Sequence, residues 1–191
     1  PPRSTLFPYT TLFRSYLMDY RFNNEFRLIY GATTADWGYV QPEHGWGVDW
    51  DDNTHPAIDI YDNAMFIIAL DNMIEMVPSA KTEWAPVREM VAANVRKHLW
   101  DEKNNKFIPH IYLEKGSPFP PDFDENQIYY FGGTAIAIEA GLLSEEEIKL
   151  SLDEMIRRVK LAGAASIGLT LYPPYPDGFF VNKIMNQIGR A

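Results

Sequence analysis

Between Ala32 and Phe66 runs the stretch ATTADWGYVQPEHGWGVDWDDNTHPAIDIYDNAMF, in which carboxylates are interleaved with large aromatic rings. It carries Asp36, Glu43, Asp49, Asp51, Asp52, Asp59 and Asp62, together with His44 and His55. Trp37, Trp46 and Trp50, three of the chain's five tryptophans, lie among them beside Tyr39 and Tyr61. Aromatic faces stack on the apolar faces of pyranose rings, and carboxylates accept hydrogen bonds from sugar hydroxyls. A carboxylic acid is also what glycoside cleavage requires, because the leaving oxygen must be protonated. The competing reading is an acidic surface loop, calcium-binding in one version, whose tryptophans fill the core and need partners for each indole N–H.

The acids have distinct expectations. Asp62 stands at the mouth of a helix, where a partly buried carboxyl has the raised pKa of a general acid. An acid in that first turn also offsets the helix dipole. Asp59, three residues earlier, either pairs with Asp62, which pushes one of the two pKa values upward, or serves as the helix N-cap. Asp36 beside Trp37 reads as an acceptor for sugar hydroxyls, with Glu43 and His44 on the same wall and Trp46, Trp50 and Tyr61 offering rings. His55 precedes Pro56 and reads as a structural hydrogen bonder. No His/Asp/Glu spacing suits a metal, and neither a Gly-rich phosphate loop nor a nucleophile elbow is present. No metal and no cofactor are therefore expected.

Four helices are expected to hold these residues. The first spans about Ile60 to Val77 and is apolar around most of its circumference, the pattern of a helix buried on nearly all sides. The second, about Thr82 to Trp100, sets Trp84, Val87, Met90, Val91, Val95 and Leu99 on one face. The third runs from about Tyr130 to Ala140 and stops at Gly141. The fourth opens with Ser144 and Glu147 as a capping box, places Ile148, Leu152, Met155, Ile156 and Val159 together, and ends before Gly163. Inner helix, short turn and outer helix thus occur twice, which is the pattern of stacked helical hairpins. Between them, KFIPHIYL from Lys106 and SIGLTLYPPYP from Ser166 are extended, since Pro109, Pro173, Pro174 and Pro176 oppose helix. The segment EKGSPFPPDFDENQ from Glu114 reads as loop.

The two ends are of another kind. PPRSTLFPYTTLFRS, residues 1–15, resembles codon for codon the translated 3′ part of a short-read sequencing adapter, and IGRA, residues 188–191, the start of the reverse adapter. Residues 16–187 are then expected to be a catalytic-domain fragment read from metagenomic-type DNA, and the ends carry no evidence about function. Setting aside Arg3, Arg14 and Arg190 takes the formal charge from −9 to −12. So acidic a chain lacks the basic footprint that nucleic-acid binding needs, and neutral or cationic substrates are the open classes. No apolar run reaches the roughly 20 residues of a membrane span, so no membrane partner is expected. The absence of cysteine leaves the redox compartment unconstrained, and localisation and oligomeric state are open.

Helical hairpins in series, a Trp-rich loop and AIDIYDNAMF opening an inner helix resemble the six-hairpin, (α/α)6-barrel glycosidases, a group that includes trehalases, glucoamylases, α-glucosidase-I-like enzymes and disaccharide phosphorylases. In the α-glucosidase-I-like members the general acid is an aspartate at an inner-helix mouth within a pattern like ESGxDNAxxF. Asp62-Asn63-Ala64-Met65-Phe66 matches its second half, whereas Ile58-Asp59-Ile60-Tyr61 departs from the first. Asp36-Trp37 looks like the Asp-Trp motifs that line a sugar subsite there, and LWDEKNNKFIPHIY like the hairpin after an outer helix. The resemblance implies an all-α fold, a partial (α/α)6 toroid with short β excursions between its hairpins. It also implies an inverting glycoside hydrolase with Asp62 as acid, Asp59 as second candidate, and a base from a late hairpin beyond Gln187, the two carboxyls roughly 6.5–9.5 Å apart, so that residues 16–187 alone are expected to be inactive and the activity to belong to the parent protein. By the same analogy Glu125, Tyr129 and Tyr130 face the cavity from the next inner-helix mouth. Tyr172 and Tyr175 edge a subsite or form a proline–aromatic knot, and Glu139 is an acid inside an apolar helix. The alternatives are a disaccharide phosphorylase and a non-catalytic carbohydrate-binding or helical-repeat scaffold, in which Asp62 is a cap and the tryptophans pack inside.

Overall fold

The computed structural model describes residues 15–36, 41–42, 44–45 and 50–181. A short helix over residues 15–20 (α1) leads into a hairpin of β1 (Phe22–Asn23) and β2 (Leu28–Ile29). β3 (Gly31–Ala32), β4 (Pro56–Ile58) and, much later, β7 (Ile111–Tyr112) form a three-stranded antiparallel sheet in the order β3-β4-β7. α2 (Ile60–Met76) and α3 (Lys81–Leu99) make the first helical hairpin. β5 (Trp100–Asp101) turns back on β6 (Lys106–Phe107). α4 (Phe131–Glu139) follows β8 (Tyr129–Tyr130), which pairs with β9 (Leu171–Tyr172) after α5 (Glu145–Ala162).

The all-α expectation, a partial (α/α)6 toroid, is corrected here. The chain is mixed α/β, 47% helical and 13% strand, with five helices and four small antiparallel sheets among the described residues. The strands are two or three residues long. A run that short has no alternation for a period-two pattern to reveal. The helices fall within a residue or two of their expected bounds because caps and breakers mark their ends. Ser144 and Glu147 close a reciprocal capping box, and Gly163 ends α5 at φ 68, a left-handed conformation that costs glycine little.

α2 is the central element, packed on α3 and α4. It buries Ile60, Ala64, Phe66, Ile67 and Leu70 against Trp84, Val91, Val95 and Leu99 of α3. The expected burial on nearly all sides is narrower in fact: Met65 is 42% exposed and Met76 69%. α5 turns Ser151, Met155 and Val159 inward, which leaves Leu152 and Ile156 of its expected apolar face exposed. Arg88 on α3 clasps Asp71 of α2 at 3.0 and 3.1 Å and donates to the Ala140 carbonyl at the end of α4 at 3.1 Å. Asn63 binds α2 to the hairpin as a strand would. Its Oδ1 accepts from Ile29 N–H at 2.9 Å, and its Nδ2 donates to the Ile29 carbonyl at 3.0 Å.

Candidate functional site

The mouth of α2 is built by its cap. Asp59 is the N-cap, and its Oδ1 accepts the Asp62 N–H at 2.9 Å. That contact fixes where the helix starts and so which way Asp62 points. Asp62, Met65, Phe66 and Ala69, spaced at three, four and seven residues, present one face of α2 to a cleft of about 510 Å³. Tyr16 and Arg21 close it from the α1 side, Tyr30 from the β hairpin, and Trp50 from the loop before β4. Trp50 is 44% exposed, and its ring lies 6.2 Å from that of Tyr30. This cleft is mostly apolar, with Asp62 as the one carboxylate and Arg21 as the one cation among its described lining residues.

Behind this mouth lie two buried carboxyls. Asp36, at φ 72, accepts the Gly132 and Gly133 N–H groups at 2.5 Å each. α4 has no side-chain cap of its own, so Asp36 satisfies its first turn from 96 residues away. Burial pushes Asp36 up to about 7 against the pull of those two N–H groups. Burial also holds Asp59 well above the ordinary carboxylate range, reinforced by the charges of Asp62 and Asp36. Asp59 Oδ2 is buried with no hydrogen-bond partner among the described residues. Gly133 is needed where these elements meet, since a Cβ there would lie 2.5 Å from Ile60 Cγ2 and 3.1 Å from Asp36 Oδ1. Gly133→Ala is therefore expected to destabilise by about 2 kcal/mol, overpacking outweighing the roughly 1 kcal/mol gain in helix propensity. A thermal melt checks this: the midpoint should fall by about 5 °C, and a midpoint at or above wild type would refute the close approach.

A second polar constellation is largely buried. His110 Nε2 accepts the Thr34 N–H at 3.1 Å, so the ring proton belongs on Nδ1, which donates to Glu125 Oε1 at 2.9 Å. Tyr112 donates to Glu125 Oε2 at 3.0 Å and Tyr175 to Oε1 at 2.6 Å. Tyr130 Oη lies between Tyr175 Oη at 2.8 Å and the Thr34 carbonyl at 3.2 Å. Burial alone would raise Glu125, yet His110 and the Tyr175 and Tyr112 hydroxyls hold it below its ordinary value. Burial keeps the Tyr112, Tyr130 and Tyr175 hydroxyls protonated by raising each. This network ties the segment at Thr34, β7, the Glu125–Gln127 turn, β8 and the segment at Tyr175 together. Direct contacts within it join residues as far apart as Thr34 and Tyr130, 96 residues, and apart from Glu125 and Tyr130 no sequence signal grouped them.

The expected site residues thus separate. Asp62 and Trp50 meet in the cleft. Asp59 and Asp36 stand behind it, closed off from solvent. Tyr61 is half-buried and outside the cleft lining. His44 Nε2 points to Asp51 Oδ1 at 3.3 Å, away in the 51–54 turn. Tyr130 belongs to the buried network, and Tyr129 Oη contacts the Ser151 carbonyl at 3.4 Å. Trp37, Glu43 and Trp46 lie outside the described residues. Sequence reasoning missed Arg21 and Tyr30, both of which precede the Trp-rich stretch. A second, polar cleft of about 500 Å³ is lined by Lys106, Arg157 and Arg158 with Asp101, Asp124 and Glu154. Its charges are largely paired within the protein: Arg157 and Arg158 hold Glu154, and Lys106 donates to the Asn126 and Ile128 carbonyls. No group of three or more His, Cys, Asp or Glu is placed to hold a metal ion among the described residues. Nor is any described helix long and apolar enough to cross a membrane. No protein-family model, curated protein or solved structure matches the chain.

Proposed function

We propose that the chain belongs to a glycoside hydrolase acting on oligosaccharides by inversion, with Asp62 as the general acid. The observation that carries this reading is the position of Asp62 on the wall of a cleft whose other walls include Tyr16, Tyr30 and Trp50. Exposed rings offer stacking faces to a pyranose, and a carboxyl beside them is placed to protonate the departing oxygen. Asp59 supports that role from behind, since its side chain seats the Asp62 N–H. Water activation falls to a carboxylate from outside the described residues.

The test is sugar release from a panel of α- and β-aryl glycosides and oligosaccharides by the parent protein, expressed from DNA extended past both ends of this sequence, comparing wild type with Asp62→Asn. Loss of about 100-fold or more in kcat by a variant with an unchanged circular dichroism spectrum is the expected result. Equal turnover by the two proteins would remove Asp62 from the chemistry. A second reading, carbohydrate binding without turnover, draws on the single carboxylate among the described residues of the cleft. Under it, wild type and Asp62→Asn bind oligosaccharides and neither releases sugar.

A further inference from the structure

Arg21 is held in place, and its guanidinium has no carboxylate partner among the described residues. Its backbone N–H donates to the Leu17 carbonyl at 2.9 Å, and its own carbonyl accepts the Tyr30 N–H at 2.9 Å. Those bonds fix the stem between α1 and β1. The guanidinium sits over Trp50, with Cζ 3.6 Å from the ring centroid, and 5.9 Å from that of Tyr30. Arg88, Arg96, Arg157 and Arg158 each grip a carboxylate. Arg21 has none among the described residues, and its planar fork of donors opens on the same cleft as Asp62. Stacking on indole consumes the face of a guanidinium and leaves its N–H edge for a partner. The partner such an edge fits best is a planar carboxylate held through two parallel hydrogen bonds.

We propose that the cleft takes an acidic saccharide, a uronic acid unit whose carboxylate is received by Arg21 while its ring lies beside Trp50 and Tyr30. The proposal rests on the carbohydrate reading of this cleft and names its substrate class. It also revises the expectation, drawn from net charge, of neutral or cationic substrates. The formal charge of −9 acts at long range, and at physiological salt such fields fade within about 8 Å. Inside the cleft Arg21 decides.

The experiment titrates the 191-residue chain with galacturonate- and glucuronate-containing oligosaccharides, neutral xylo- and malto-oligosaccharides, and inorganic phosphate, read by tryptophan emission. Wild type should bind the acidic oligomers about tenfold or more tightly than neutral ones. Arg21→Gln should lower the affinity for acidic oligomers about tenfold more than the affinity for neutral ones. Arg21→Lys, which keeps the charge and loses the fork, should recover only part of that preference, and carries the comparison if Arg21→Gln fails to fold by circular dichroism. Equal binding of acidic and neutral oligomers, insensitive to Arg21, would overturn the acidic substrate and leave the sugar cleft standing. Phosphate binding that depends on Arg21, with no preference for uronates, would overturn it in favour of a phosphate co-substrate. Failure of every saccharide to bind would overturn both.

Discussion

Glu125→Ala is expected to cost the protein about 4 kcal/mol and to lower its melting temperature by 10 °C or more. Three donors converge on this carboxylate: His110 Nδ1–H, the Tyr112 hydroxyl and the Tyr175 hydroxyl. Truncation leaves all three without their acceptor in a buried site, where each unmet group costs roughly 1–3 kcal/mol. The loss does not reach the full sum, since the carboxylate is 13% exposed and a water can reach part of the gap. Glu125→Gln keeps the shape and one acceptor oxygen while setting an NH2 group against a donor. It should fall between wild type and alanine. Chemical denaturation of the three proteins checks the order, and a Glu125→Ala within 1 kcal/mol of wild type would sink the idea that this network holds the fold together.

The second large effect is on the dependence of stability on pH. Asp36 titrates near 3.8 when unfolded and is pushed up to about 7 by burial in the fold. Between those values the folded chain binds a proton that the unfolded chain has released. Stability is therefore highest at the acidic end of this window and declines as pH rises towards 7. Asp59, also raised by burial, works in the same sense. Glu125 works in the opposite one, because a carboxylate held below its ordinary value loses its contribution as pH falls. The result is a maximum near mildly acidic pH. From pH 5 to pH 8 Asp36 alone accounts for a loss on the order of 3 kcal/mol, or about 10 °C in melting temperature. Asp36→Asn cannot titrate, so its melting profile should be flatter over the same range, whatever its absolute stability. A wild-type midpoint that rises from pH 5 to pH 8, or an unchanged slope in Asp36→Asn, would contradict the assignment.

What could be read from residues alone follows the range of the forces involved. Helix ends depend on neighbours three or four residues away, and the capping box at Ser144 and the stop at Gly163 were legible for that reason. Asp59 as N-cap was legible too, being local to α2. Fold class was not: β3, β4 and β7 pair residues as far apart as Ala57 and Tyr112, through segments too short to carry a pattern. The motif Asp62-Asn63-Ala64-Met65-Phe66 was recognisable as a unit, but its division of labour was not. Asp62, Met65 and Phe66 line the cleft, while Asn63 and Ala64 are buried behind it. Asp36 reads in sequence as a sugar acceptor because Trp37 follows it, whereas in the fold its carboxylate is occupied by α4. Arg21 carried no signal at all, since nothing near it in sequence shows that its charge lacks a counterpart among the described residues.

The Asn63 amide has one more effect. Tyr30 N–H reaches back to Arg21, and Leu28 pairs with Asn23, so the N–H and C=O of Ile29 between them face away from β1. An outward pair of backbone groups on a two-stranded ribbon is where a strand from another molecule can attach and begin to aggregate. Asn63 occupies both groups with its own carbonyl and amide. One side chain thus seals the edge of the hairpin against its own kind, and does so from the helix that also shapes the cleft.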